Sequence, residues 1–278
     1  MRLAISNIAW DVAEDETVLA LLQKHQVDAI DIAPGKYFPK PENATRADIL
    51  TLKHWWADKG IEITGMQALL FGTSGLNVFG DQDSRKRLLD HLEAVCRIGG
   101  ELGSSRLVFG SPKNRDRSGL DDNEAVGQAV DFFRQAGDRA AQAGVCLCLE
   151  PTPICYDANF MINSSETAFV VRAVNHPAIR MQFDTGAITI NAESPERVLA
   201  SHADLIAHVH ASEPALAPLG DKGTDHHALA RALLKHLPNA IISIEMLATQ
   251  DEPHLVAIER ALKVASDAYR TSPIGGAT

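Results

Sequence analysis

The sequence has few cysteines and no long apolar run. Four of its 278 residues are cysteines, Cys96, Cys146, Cys148 and Cys155, and they lack the paired spacing of a zinc-finger site. We therefore expect reduced, buried thiols in a cytoplasmic protein rather than a disulfide framework. No stretch approaches the ~20 apolar residues of a membrane span. The opening MRLAISNIAW is not followed by a long apolar run, so no signal peptide is expected.

The chain also lacks an excess of positive charge. Its 26 Lys and Arg residues face 36 Asp and Glu residues, a formal net charge of −10. An acidic surface repels nucleic-acid phosphates and anionic lipid, so binding to either is disfavoured. The 45% hydrophobic and 22% charged residues are typical of a globular protein, and the length suffices for one large core.

Short β-rich runs alternate with segments of helical spacing along the chain. Near-continuous apolar strands are typical of a parallel sheet that is buried on both faces. Eight such runs, each followed by a helical segment, predict a single-domain (β/α)8 TIM barrel over residues 1–278. A doubly wound sheet is the main alternative, but the sequence has no Gly-rich phosphate loop after an early strand. The predicted strands are 3–6, 27–32, 61–66, 106–109, 145–150, 179–184, 205–210 and 240–246.

Local signals mark two helix ends and two long loops. Gly60 and Gly144 each stand between a helical segment and the next strand, where a left-handed cap is expected. The segments 33–45 and 71–83 are longer than a barrel needs, and both follow strands. We therefore expect both loops to project from the end of the barrel that carries function.

Four consecutive strands end in residues suited to bind a hard metal ion. They are Glu150, Asp184, His210 and Glu245, separated by about one βα unit each. A lone carboxylate at a strand end is more often a cap or an ion-pair partner, but here four strand ends agree. Three carboxylates aimed at one point repel each other, which predicts one divalent cation between them. Oxygen and nitrogen ligands favour Mn²⁺, with Mg²⁺, Co²⁺ or Zn²⁺ as alternatives.

Other histidines have weaker signals. His208 precedes His210 by two residues and points the same way along its strand. One interpretation is that His208 contacts the substrate or one of the metal-binding residues. The other is that it is a layer residue inside the barrel. His226 and His227 stand at a predicted helix start and are expected at the surface.

The segment SPKNRDRSG after the fourth strand holds a compact basic cluster, Lys113, Arg115 and Arg117. One interpretation is a site for a phosphate or carboxylate of a substrate. The other is a solvated loop in which the cations pair with Asp116.

These motifs resemble those of the xylose-isomerase-like barrel superfamily, in particular its sugar isomerase/epimerase branch, which includes D-tagatose 3-epimerase and hydroxypyruvate isomerase. EPTP at Glu150 is similar to the family's Glu-Pro segment, and FDTGA at Asp184 to its Asp-Thr-Gly-His segment. HVHASE at His210 is similar to His-x-His-x-x-Glu, and IEM contains Glu245. The resemblance implies that these four residues bind the metal, and that the two glutamates also transfer protons.

The candidate substrate-binding residues are His208, Asp157, Glu213, Gln67 and Lys113. Asp157 lies in DANFMINSSETA, which resembles an Asn-Phe stretch of the family. The chain departs from the family at two positions. Ala187 replaces a histidine that touches the substrate in the ketose epimerases, and no arginine follows Glu213 closely. Both losses predict poor activity on free ketohexoses.

The expected function is therefore that of a metal-dependent isomerase or epimerase. It would act on a sugar or a sugar-derived hydroxy-ketone by proton transfer through an enediolate. A metal-dependent dehydratase or lyase is the alternative enzyme, and a non-catalytic carbohydrate-binding barrel is the alternative outside catalysis. The expected partner is a small carbohydrate, with no nucleic acid or membrane, and the protein is either a monomer or a homo-oligomer.

Overall fold

Eight parallel strands form a closed barrel in the computed structural model of the protein, which describes residues 1–270. The strands are β1 (Arg2–Ser6), β2 (Ala29–Ile32), β3 (Glu62–Met66), β4 (Arg106–Phe109), β5 (Cys146–Leu149), β6 (Ile179–Asp184), β7 (Ile206–Ser212) and β8 (Ile241–Glu245). Each strand pairs with the next, and β1 pairs with β8 to close the ring. The predicted fold class is confirmed, and every predicted strand is present within two residues of its limits.

Helices cover the outside of the barrel. They are α1 (Asp15–Lys24), α2 (Pro34–Tyr37), α3 (Arg46–Ala57), α4 (Gln82–Leu102), α5 (Asp122–Gln142), α6 (Ser164–Val174), α7 (Thr185–Ile190), α8 (Pro195–His202), α9 (His226–His236) and α10 (His254–Tyr269). Gly60 and Gly144 have φ values of 78° and 71°, so both predicted left-handed positions are confirmed. Glycine adopts this conformation without the steric cost of a Cβ.

The main core lies between the helices and the outer face of the strands. For example, Phe109 of β4 packs edge-on against Phe133 of α5 with ring centroids 5.4 Å apart. Burying a side chain of this size contributes about 1.5–3 kcal/mol. The inside of the ring differs, because polar side chains are buried there. This polar interior lies directly beneath the site described below.

The loops that follow β2 and β3 are long, as expected. They leave the barrel at the carboxyl ends of these strands, where functional groups of this fold lie. Residues 68–76 of the second loop form one wall of a large cavity. Within residues 1–270, no helix combines the length and the apolar character that a membrane crossing requires.

The cysteines only partly match the prediction. All four are free thiols, and Cys96 and Cys148 are buried as expected. Cys155 is exposed because it lies in the loop after β5, so the expectation of burial was wrong there. Cys146 is half-buried, and its Sγ lies 3.9 Å from Sγ of Cys148, because residues two apart on a strand share a face.

Candidate active site

The four predicted metal ligands come together at the carboxyl end of the barrel. Glu150 directly follows β5, Asp184 ends β6, His210 lies near the end of β7, and Glu245 ends β8. One ligand atom from each residue lies within 4.8 Å of the others. Parallel strands of a barrel all end on the same side, so neighbouring strand ends deliver these side chains to one point.

The group has a buried side and an accessible side. His210 is fully buried, and its Nδ1 lies 3.2 Å from Oε2 of Glu245 and 3.8 Å from Oε1 of Glu150. Asp184 is also buried. The side chains of Glu150 and Glu245 keep 16% and 12% of their surface exposed. A molecule in the barrel mouth therefore meets the two glutamates first.

Hydrogen bonds orient the carboxylates. Oδ1 of Asp184 caps α7 by accepting from the backbone N of Ala187 at 2.6 Å, while Oδ2 accepts from Oγ of Ser212 at 2.6 Å. Oε1 of Glu245 accepts from Nε2 of Gln67 at 2.9 Å. The carboxylates of Asp184 and Glu245 are thus each held in one direction by the protein.

The Glu150 carboxylate is positioned by its surroundings on β4 and β5. Nη1 of the buried Arg115 donates to the backbone carbonyl of Glu150 at 2.7 Å, and its Nη2 donates to Thr152. Gly110 follows β4, and a Cβ at this position would overlap the Glu150 carboxylate. The absence of a side chain at Gly110 is therefore required for the observed position of this glutamate.

The crowded carboxylates shift each other's titration. Burial, followed by the charges of Glu245 and Glu150, raises the pKa of Asp184 to about 7. Burial also raises the pKa of Glu150, and the charge of Glu245 adds to this effect. Burial opposes the charged form of His210, but the surrounding carboxylates outweigh it and raise its pKa well above the usual value. The site therefore favours uptake of positive charge, either protons or a cation.

The donor set fits a divalent cation. Three carboxylates and one imidazole nitrogen within 4.8 Å are hard or borderline ligands of the kind that bind Mn²⁺, Mg²⁺, Co²⁺ or Zn²⁺. A cation would also relieve the mutual repulsion that raises the carboxyl pKa values.

A cavity of about 920 Å³ opens above this group. Glu150, Glu245, Gln67 and Lys113 line it, so the structure places two of the predicted substrate contacts beside the two glutamates. Much of the remaining wall is apolar and comes from residues 68–76. A cavity of this size and character is typical of a small-molecule site.

Two other predicted substrate contacts lie outside the cavity wall. His208 is buried inside the ring of strands, where its Nε2 donates to Oδ2 of Asp31 at 2.7 Å. It therefore occupies a barrel layer, one of the two expected alternatives. Asp157 is exposed in the loop after β5 with a φ of 59°. Its contact with a substrate remains a prediction.

Glu213 is buried within the loop that follows its strand, and its contact with a substrate stays a prediction. Its buried carboxylate accepts from the backbone N of Gly220 at 2.8 Å and from Oγ1 of Thr224 at 2.7 Å. Nε2 of His226 lies 3.3 Å from the same carboxylate, and its Nδ1 lies 2.8 Å from the Tyr269 hydroxyl. The expected surface position of His226 was therefore wrong, because this histidine ties the loop to α10.

The basic cluster after β4 does not form a common anion site. Arg115 is buried and donates to backbone carbonyls and to Thr152. Arg117 pairs with Asp122 and donates to the backbone carbonyl of Asn159. The alternative interpretation required these cations to pair with Asp116, and neither arginine does so. Only the exposed Lys113 lines the cavity.

Asp31 was not among the residues predicted from the sequence. This residue is fully buried on β2 and contacts both His208 and His210. Its signal in the sequence was a carboxylate between two isoleucines, in the segment AIDI of an otherwise apolar strand. A buried carboxylate needs a partner, but the sequence does not show which one.

Known structures share this architecture. D-psicose 3-epimerase with D-tagatose, from Clostridium cellulolyticum H10, has a TM-score of 0.79 at 19% identity, covering 97% of this chain and 98% of that chain. The structure of 3-keto-D-glucoside 4-epimerase from E. coli has a TM-score of 0.76 at 16% identity, covering 95% of this chain and 99% of that chain. The structure of the IolI protein with a zinc atom has a TM-score of 0.73 at 18% identity, covering 97% of this chain and 98% of that chain. At these identities the similarity shows a shared fold.

The sequence itself carries the family assignment. Residues 19–267 match the family profile described as xylose isomerase-like TIM barrel. No curated protein matches the chain at a significant level. The profile covers most of the chain and agrees with the closed barrel, so the predicted resemblance is confirmed. The chain belongs to the xylose isomerase-like TIM barrel family.

Proposed function

We propose that the protein is a divalent-metal-dependent isomerase or epimerase of a sugar or sugar-derived hydroxy-ketone. One observation carries this proposal. Glu150 and Glu245 flank the buried pair Asp184 and His210, and both keep an accessible face toward the same cavity. The named activities of structural neighbours, a psicose 3-epimerase and a keto-glucoside 4-epimerase, support a carbohydrate substrate.

Glu150, Asp184, His210 and Glu245 would hold the cation, and we propose Mn²⁺ as the ion. When bound, the cation supplies electrostatic stabilisation to the negative charge of an enediolate. The zinc atom in the IolI structure supports a divalent ion in this fold. Replacing Asp184 by alanine removes a ligand, so metal content should fall from one ion per chain toward none. Equal metal content in wild type and Asp184→Ala would contradict the site.

The chain's own residues would move the protons. A substrate in the cavity lies across Glu150 and Glu245, so one carboxylate removes a carbon-bound proton and the other returns one. Return to the opposite face of the same carbon inverts it, whereas return to the neighbouring carbon isomerises the substrate. Gln67 donates to Oε1 of Glu245, while Oε2 of the same carboxylate faces Nδ1 of His210, so both oxygens are oriented.

Glutamine substitutions test this role. Glu150→Gln and Glu245→Gln keep an oxygen ligand but remove the group that accepts a proton. Each should lower turnover by about 10²–10⁴-fold while part of the metal remains bound. The measurement is loss of the substrate's carbon-bound proton in D₂O at saturating Mn²⁺, with a panel of ketoses and sugar derivatives followed by NMR.

Glu62→Gln is the matched control. Glu62 begins β3 at the other end of the barrel, and its side chain is 59% exposed. This variant should exchange protons at the wild-type rate. Near-wild-type exchange in Glu150→Gln or Glu245→Gln would show that this glutamate is only a ligand. Metal-loaded wild type that exchanges no proton of any panel member would contradict the enzymatic function.

A further inference from the structure

A buried carboxylate and two imidazoles lie inside the barrel beneath the metal ligands. Asp31, His208 and His210 come from β2 and β7, which are three strands apart around the ring, and all three are nearly or fully buried. Oδ2 of Asp31 accepts from Nε2 of His208 at 2.7 Å and lies 3.7 Å from Nε2 of His210. Asp31 has no part in the function proposed above.

We propose that Asp31 is a positioning residue for the metal ligand His210. It accepts the proton that Nε2 of His210 carries when Nδ1 binds the cation, and His208 holds the Asp31 carboxylate in place. This inference rests on the proposed metal site, but not on the identity of the sugar or on the reaction.

The two nitrogens of His210 face different groups. Nδ1 lies 3.2 Å from Glu245, 3.8 Å from Glu150 and 3.0 Å from the side-chain amide of Gln182. Nε2 points away from them, is buried, and has no hydrogen-bond partner among the described residues. A neutral imidazole carries one proton, so coordination through Nδ1 places that proton on Nε2.

Asp31 is placed to be the missing acceptor. Its separation of 3.7 Å from Nε2 of His210 is about 0.8 Å longer than a normal N–H···O hydrogen bond. A rotation of the imidazole ring of His210 would close this gap. Metal-bound histidines commonly donate their second nitrogen to a carboxylate, which fixes the ring orientation and the tautomer.

The surroundings of Asp31 are built to hold it. Oγ1 of Thr64 donates to Oδ1 at 3.1 Å, while His208 donates to Oδ2 at 2.7 Å. Gly65 leaves room for the carboxylate, since a Cβ there would lie 2.5 Å from Oδ1. The pairing of β2 with β3 shifts register between Ile30 and Asp31, at the same place. Together these contacts hold the Asp31 carboxylate in one position beside His210.

The first test is a Co²⁺ titration of the full-length protein, followed by the visible absorption of the bound ion. Wild type should bind one Co²⁺. Asp31→Asn should bind it about 10–100-fold more weakly and with a changed absorption spectrum, because the ring of His210 loses its fixed orientation. Thr64→Val is the control. It removes the other hydrogen bond to Asp31 but leaves the carboxylate facing His210, so it should bind more tightly than Asp31→Asn.

The second test needs no variant. In ¹⁵N-histidine protein loaded with Zn²⁺, NMR should show His210 protonated at Nε2, with a slowly exchanging, downfield proton. A His210 protonated at Nδ1 in the loaded protein would overturn the inference.

Other outcomes separate this inference from the proposed function. One Co²⁺ bound by wild type, with the same affinity and spectrum in Asp31→Asn, would overturn the role of Asp31 and leave the metal site standing. Two Co²⁺ per wild-type chain, with one lost in Asp31→Asn, would also overturn it, because Asp31 would then be a ligand. No Co²⁺ bound by wild type would overturn both proposals.

Discussion

Asp184 offers a test of how the crowded carboxylates affect stability. Its carboxyl is buried, and both burial and the charges of Glu245 and Glu150 raise its pKa to about 7. The perturbation is Asp184→Asn in protein freed of metal by a chelator. Asparagine cannot ionise, but its side-chain oxygen can still accept from the backbone N of Ala187 and cap α7.

The sign and magnitude of the pH dependence of stability follow from the raised pKa of Asp184. A carboxyl whose pKa is higher in the folded state favours folding at low pH, and this contribution is lost as pH rises through the folded-state value. For Asp184, the difference between the usual 3.8 and about 7 corresponds to about 4 kcal/mol. About 2–3 kcal/mol of this loss falls between pH 5 and pH 8.

The assay is urea unfolding of both proteins at pH 5 and pH 8, with and without saturating Mn²⁺. Without metal, the free energy of unfolding of wild type should fall relative to Asp184→Asn by about 2–3 kcal/mol between the two pH values. Asp184→Asn should therefore be the more stable protein at pH 8. With Mn²⁺ the order should reverse, because wild type binds the cation more tightly in its folded state.

The result that refutes this reasoning is a metal-free wild type whose unfolding free energy stays parallel to that of Asp184→Asn across the pH range. The Asp184 carboxyl would then titrate near its usual value, and repulsion within the ligand group would be small. Comparing the two proteins cancels the contributions of ionisable groups remote from the site, since these are common to both. Glu150, Glu245 and His210 titrate together with Asp184, so the measured difference belongs to the whole group.

Two further predictions concern Gly110 and Ala187. Gly110→Ala should lower turnover by about 10²-fold, because the new Cβ overlaps and displaces the carboxylate of Glu150. The control Gly127→Ala lies on α5, where the new Cβ has no atom within 4 Å, and it should keep full activity. Equal rates in the two variants would contradict the overlap. Wild type should turn over fructose, tagatose and psicose below the usual ~1–10³ s⁻¹, and Ala187→His should raise that rate about tenfold or more by supplying a polar contact. Rapid turnover by wild type would show that other residues replace this contact.

The sequence by itself was enough for the barrel and for the four residues that meet at its carboxyl end. Apolar runs of strand length recur with helical segments between them, and that alternation is a local property of the chain. Once the strands are parallel and sequential, each strand end lies on the same face of the barrel. The position of Glu150, Asp184, His210 and Glu245 at their strand ends therefore predicted their meeting.

Contacts across the ring and within loops were decided only by the tertiary structure. Asp31 and His208 are 177 positions apart, and their hydrogen bond depends on the stagger of the strands and on a register shift beside Asp31. Glu213 binds the loop after its own strand, and Arg115 is buried under the carbonyl of Glu150. The residue type of a charged side chain does not show whether it contacts solvent, substrate or backbone. The packing around the side chain decides its contacts.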